Sequence, residues 1–264
     1  MNVDVYLRRI GYDGPRDPSA ATLRNLHRQH LFTVPFENLD IPLKTGISLD
    51  LPLLYDKIVV RHRGGFCYEL NGLFYELLTA LGFRVHMLAA RVRRDDGGFG
   101  PEFDHMLLKV ELEEPWLVDV GFGDSFVDPI VFRAGGADQV NGHRYSVSPA
   151  GDEWSLLHED AKGQAPLYCF RDVPRQLSDY IEMCSFHQTS ADSGFTKHWI
   201  CSRATPDGRI TLTNSRLIVT HNASREERVL TTEEDLRRCL REQFGFEFDT
   251  SVDLSNLVAV TQEP

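Results

Sequence analysis

The period of the hydrophobic positions changes once along the chain, near Gly82. Before it, apolar residues recur at helical spacing. Val5, Leu7 and Ile10 predict a short first helix ended by Gly11, and Leu23, Leu26, His30 and Leu31 predict a second, closed off before Pro35. Leu53, Leu54, Ile58 and Val59 suggest a third. The clearest stripe is Leu70, Leu73, Phe74, Leu77, Leu78 and Leu81, with Gly82 placed as a C-terminal cap. Beyond Gly82 the period shortens to that of strands. Val85, Met87 and Ala89, then Met106, Leu108 and Val110, then Trp116, Val118 and Val120 alternate, with the turn formers of 95–98 and 113–115 between them. Strand-like runs follow at 145–147, 154–156 and 167–170, then a helical patch near 177–183 and strands around 210–212 and 217–220. A closing helix starts near Thr232, which with Asp235 resembles a capping box, and buries Leu236, Cys239, Leu240 and Phe244. With no internal repeat and no low-complexity linker, the pattern predicts a helical segment, a β segment and a mixed α/β tail packed without long tethers.

Composition narrows the classes. In 264 residues, 42% hydrophobic and 25% charged content is globular rather than disordered. No secretory signal and no apolar run long enough for a membrane helix stand out, so a soluble, cytoplasmic protein without membrane association is expected. The five cysteines (67, 169, 184, 201 and 239) are odd in number, widely spaced and never Cys-x-x-Cys, which argues for a reducing compartment and against a disulfide framework or a metal site. A net charge of −11 excludes a general nucleic-acid surface. The basic clusters 61–63 and 91–94 suit solvated surface or a small phosphorylated ligand.

The chemistry centres on Cys67. It follows Gly64 and Gly65 and opens the best helix, three residues before Leu70 and seven before Phe74, so it shares the buried face. Glycines let other backbone approach closely. A helix N-terminus, with its free N–H groups and partial positive charge, is expected to lower a thiol's pKa. Position alone equally suits a small buried hydrophobe. A nucleophilic thiol needs a base and an orienting acid. His105 follows the glycine-rich loop 97–100 and opens a strand, and Asp119 lies between valines on the next one, where an acid is costly to bury unless paired. An antiparallel hairpin with an even-sum register would put the two on one face. Alone, His105 could be a satisfied core histidine and Asp119 a turn acid before Gly121; together with Cys67 each explains the others. Asp104 competes for His105 but is expected on the opposite face. His86, His187 and His198 show no comparable acid beside them.

The run from Arg63 to Phe74 closely resembles the signature of the arylamine N-acetyltransferases, as do the blocks Thr33 to Asp40 and Asp119 to Gly123 and the opening Tyr6 to Tyr12. The match spans nearly the whole chain, dense up to Phe126 and sparse afterwards; Phe66 and Tyr68 swap the aromatic order often seen around the cysteine. The resemblance implies an α+β fold of an N-terminal helical bundle (1–83), a central β-barrel (84–190) and a C-terminal α/β lid (191–264), with a cysteine-protease-like Cys-His-Asp site between the first two. It implies Cys67 as nucleophile, His105 as general base and Asp119 as orienting acid, acetyl-CoA as donor, no metal, and an arylamine or arylhydrazine acceptor, as in xenobiotic metabolism, used by a ping-pong mechanism. Phe36, Phe122, Gly123 and Phe195 are the candidate substrate contacts. Arg9, Glu37 and Arg63 are expected in an ion-pair network around the site. A macrolactam-forming amide synthase with the same triad is the alternative; a thiol hydrolase or transglutaminase-like enzyme and a non-catalytic relative are more distant rivals.

Overall fold

Four helical stretches form where the apolar stripes place them, and polar side chains start the first three. In the computed structural model, which describes residues 1–135, 137–140, 143–160, 163–222 and 224–258, Asn2, Ser19 and Asp50 cap the helices Val3–Arg9, Ala20–Thr33 and Leu51–Tyr55. The last of these runs on through a wider π turn, Asp56–Val60. The helix Cys67–Ala80 is buried on every side over its first two turns, Cys67 to Phe74, and not on one stripe alone. It ends at Gly82, whose φ of 88° suits glycine.

Eight antiparallel strands make the central sheet, with His105–Glu111 between Arg84–Val92 and Pro115–Val118. The sheet continues from Arg84–Val92 through Gly163–Phe170, Glu153–Asp160 and His143–Ala150 to Ala137–Val140. Its other end strand is Ile130–Val131, so the two ends are neighbours in sequence and the sheet is nearly closed into a barrel. Both faces of the central strands are buried. Met87, Met106, Leu108 and Val118 pack toward the helix Cys67–Ala80, while Leu88, Leu107 and Leu117 join Phe126, Tyr168 and Phe170 on the barrel side. Leu108 pairs with Val118, the even-sum register that puts His105 and Asp119 on one face.

A second, five-stranded sheet runs Phe36–Glu37, Ile200–Thr205, Gly208–Thr213, Arg216–His221, Ser224–Val229. Its first strand comes from the N-terminal segment: Phe36 pairs with Ser202 and also bridges Gly65, two residues before Cys67. The far strand, Ser224–Val229, is exposed at every position and carries no hydrophobic alternation. Thr232 caps the closing helix Glu233–Cys239 as expected, accepting the Asp235 N–H. Between the sheets, the helix Ile181–Thr189 and the turn Gly194–Lys197 reach back to the N-terminal side, where Leu177, Cys184 and Phe195 join or pack against its core.

Candidate active site

Two glycines deliver Cys67. A Cβ on Gly64 would strike the Pro35 carbonyl, and one on Gly65 would lie 2.7 Å from Glu69 Oε2. Neither position tolerates a side chain, and the strand 36–37 therefore lies against the segment that leads into the helix. Phe66 is the N-cap, its N–H donating to Glu69 Oε2 at 3.0 Å. Cys67 is the first helical residue and is 3% exposed.

His105 and Asp119 meet behind it. His105 Nε2 donates to Asp119 Oδ2 at 2.7 Å, so Nδ1 is the ring nitrogen left for the cavity that His105 shares with Cys67. Asp119 sits one residue past the strand Pro115–Val118, and its carboxylate accepts three further bonds. They come from Asn71 Nδ2 at 3.0 Å, the Tyr168 hydroxyl at 3.2 Å and the Gly121 N–H at 3.0 Å. Burial opposes its charge, but the His105 imidazole, Asn71 and the Gly121 N–H overcome that and hold the carboxyl below its usual range.

Asn71 is the residue sequence reasoning missed. Besides Asp119 it donates to the Met106 carbonyl at 2.7 Å and accepts the Val120 N–H at 3.0 Å, pinning helix, strand and loop together. The available signal was a polar residue one turn beyond Cys67 on the most apolar helix. Gly121 completes the joint: a Cβ there would lie 2.8 Å from the Cys67 Cα.

The expected lowering of the thiol pKa is not found. Burial pushes the Cys67 thiol well up, the Met106 backbone N–H works against that, and the Asp119 and Asp104 charges push it further up. A helix start offers only partial charges; full removal from water and two carboxylates outweigh them.

The cavity over Cys67 has a volume of about 370 Å³, and Phe36, Phe122 and Phe195 are among the residues that line it. Phe122 stands edge-on to His105, ring centres 5.2 Å apart. Gly123 lies off the cavity, with φ 91° and its Cα face against Phe36; Gly121 takes the lining position. Asp104 and His187 also line it. His187 does have an acid beside it: Nε2 is 3.4 Å from Asp104 Oδ1. Asp104 thus leaves His105 to Asp119.

Arg63 is buried, not surface. Its guanidinium binds Glu37 at 2.7 Å and Asp40 at 2.9 Å, while Lys57 Nζ binds Asp40 at 2.7 Å and Glu69 at 2.8 Å. Burial opposes the charge on Asp40, but Lys57 and Arg63 hold it down at about 2; burial pushes Glu69 up to about 7 in spite of Lys57. Arg9 stays outside this network and donates instead to the carbonyls of Ile58, Thr33 and His62. A larger hollow of about 770 Å³ between residues 47–52 and the helix Ile181–Thr189 contains none of Cys67, His105 or Asp119. Among the described residues no group of three His, Cys, Asp or Glu could hold a metal, and no helix is long and apolar enough to cross a membrane.

A family model described as N-acetyltransferase matches residues 19–252. The arylamine N-acetyltransferase of Escherichia coli is 36% identical over 248 residues, 92% of this chain and 88% of that protein. Proansamycin X synthase of Amycolatopsis mediterranei is 30% identical over 90% of this chain and 94% of its own length. The solved structure of Mycobacterium marinum arylamine N-acetyltransferase in complex with CoA superposes with a TM-score of 0.86 at 31% identity, covering 93% of each chain.

Proposed function

Because the chain belongs to the arylamine N-acetyltransferase family, we propose that it carries an acetyl group from acetyl-CoA to an arylamine or arylhydrazine through an acetyl-Cys67 intermediate. The observation that carries this reading is one cavity holding Cys67 and a His105 already bonded to Asp119 at 2.7 Å. The CoA bound by the Mycobacterium marinum relative supports the donor. Residues 1–83, 84–190 and 191–264 are the three segments of this reading.

The Cys67 proton passes to His105 Nδ1, and Asp119 stabilises the resulting imidazolium. The thiolate attacks the thioester carbonyl, the C–S bond to CoA breaks, and the imidazolium returns the proton to the departing sulfur. An amine then attacks acetyl-Cys67, His105 removes the proton from its nitrogen, and the acetyl–sulfur bond breaks. We assign the Cys67 N–H at the helix start to the oxyanion. The aromatic walls Phe36, Phe122 and Phe195 suit an aryl acceptor, and a cavity of about 370 Å³ is near the lower end for small-ligand sites.

The amide-synthase alternative is favoured by the proansamycin X synthase relative. The Escherichia coli acetyltransferase is the more similar of the two, 36% against 30% identical, so the acetyltransferase reading ranks first. The odd number and wide spacing of the five cysteines support a reducing, cytoplasmic setting. Intact-mass measurement after mixing with acetyl-CoA tests the central step. One acetyl adduct on the wild type and none on Cys67→Ala is expected; an adduct that survives in Cys67→Ala rules the nucleophile out.

A further inference from the structure

Asp104 is built into the cavity wall with more support than an incidental acid receives. Phe103 before it adopts the left-handed region, φ 63°, which is uncommon for a bulky residue. The Phe103 carbonyl is held by the Tyr68 hydroxyl at 2.7 Å. A Cβ on Gly100 would collide with Asp104 Oδ2, which instead accepts the Val92 N–H at 3.3 Å. Oδ1 faces His187 Nε2 at 3.4 Å. That nitrogen meets only acceptors, Oδ1 and the Asp104 carbonyl at 3.3 Å, so it carries the proton. In the neutral ring Nδ1 is then the acceptor, and the Ser193 hydroxyl 3.2 Å away donates to it. Ser193 Oγ itself accepts the Phe195 N–H at 3.2 Å, which ties the chain of bonds to an aromatic wall of the cavity.

The chain Ser193–His187–Asp104 holds the carboxylate in place without cancelling its charge. Among the described residues no lysine or arginine lies within ion-pair reach of Asp104. Its side chain keeps 17% of its exposure, and it lines the same cavity as Cys67. The rest of the lining is Phe36, Phe122 and Phe195 with Val92, Ile200 and two glycines, and the only other ionisable groups beside Cys67 are the imidazoles of His105, His187 and His198.

We propose that Asp104, positioned by His187 and Ser193, forms an anionic subsite of the acceptor pocket that selects amines carrying a second N–H or cationic group and disfavours those carrying a carboxylate. This rests on the acetyltransferase reading above. The carboxylate keeps free lone pairs, so it accepts from a distal N–H and repels a second anion brought into the same cavity. Its charge already reaches the thiol, being one of those that push Cys67 up.

The test compares kcat/KM at pH 8 for three para-substituted anilines on the acetylated enzyme: 4-(aminomethyl)aniline, 4-methoxyaniline and 4-aminobenzoate. Comparing ratios between wild type and Asp104→Asn cancels the intrinsic reactivity of each amine. In the variant the aminobenzoate-to-methoxyaniline ratio should rise about tenfold, and the aminomethyl-to-methoxyaniline ratio should fall by a similar factor. Unchanged ratios overturn the subsite. Inhibition of the wild type adds a measurement that needs no variant: benzamidine should compete with the acceptor more tightly than benzoate, and the reverse order overturns the proposal. The two failures are distinguishable. Without an acetyl-enzyme the proposed function falls and this subsite with it; with normal turnover of 4-methoxyaniline and unmoved ratios, only the subsite falls.

Discussion

Asp119→Asn isolates the electrostatic part of the site with the least change of shape. The carboxylate accepts two bonds at each oxygen: Asn71 Nδ2 and the Gly121 N–H at Oδ1, His105 Nε2 and the Tyr168 hydroxyl at Oδ2. An asparagine has one acceptor oxygen and one NH₂. With its oxygen toward Asn71 and Gly121, its NH₂ meets His105 Nε2, and the ring must move its proton to Nδ1. That is the nitrogen needed to receive the Cys67 proton, and the negative charge that stabilises the imidazolium is gone as well. Neutralising the acid of a comparable triad lowers kcat about 10⁴-fold, equivalent to roughly 5 kcal/mol of barrier. The fold should lose less, about 1–3 kcal/mol for mismatched buried hydrogen bonds. Rapid-quench mass spectrometry of acetyl-enzyme formation reads the first quantity and urea unfolding the second. If acylation stays within tenfold of wild type in a folded Asp119→Asn, Asp119 is structural and another group supports His105. The opposite asparagine orientation would leave its oxygen on His105 and Nδ1 free; a tenfold to hundredfold loss would diagnose it.

Three further outcomes are expected. Because burial pushes the Cys67 thiol up, His105→Ala should sharply slow iodoacetamide alkylation of Cys67 at pH 7 and move it to more alkaline pH, while equal rates at pH 7 would mean that the helix start alone makes thiolate. Initial rates with acetyl-CoA and an arylamine should give parallel double-reciprocal lines, with a burst of one CoA per site in the absence of amine; intersecting lines would point to direct transfer in a ternary complex. Glu69, pushed up to about 7, has a folded pKa above its unfolded value of about 4.3, so its contribution is complete below the lower value and lost as pH rises through the upper one. Urea unfolding should therefore show stability falling between about pH 4.5 and 7 by at most about 1.4 kcal/mol per pH unit, and Glu69→Gln should flatten that slope; an unchanged slope would assign it to other groups.

The sequence by itself determined the elements whose pattern is local. Helical stripes from Val5 to Leu81 and alternation from Val85 to Val120 placed the core helices and strands, since a helix or strand that buries one face must repeat its apolar residues at its own period. The same reasoning could not see Ser224–Val229, an edge strand with every residue exposed, nor the two-residue strand at Phe36, whose partner Ser202 lies in a distant part of the chain. Cys67, His105 and Asp119 were legible as chemical anomalies: a thiol at a glycine-led helix start, a histidine opening a strand, and an acid among valines. Which acid serves which histidine was not. Asp104 and Asp119 both stood within reach of His105 in sequence, and only packing sent Asp104 to His187 and brought Asn71 and Tyr168 to Asp119. The sign of the Cys67 shift was likewise a tertiary matter. A helix N-terminus can be read from a dozen residues, but desolvation and the field of two carboxylates depend on everything that excludes water from the sulfur, and that is assembled from segments far apart along the chain.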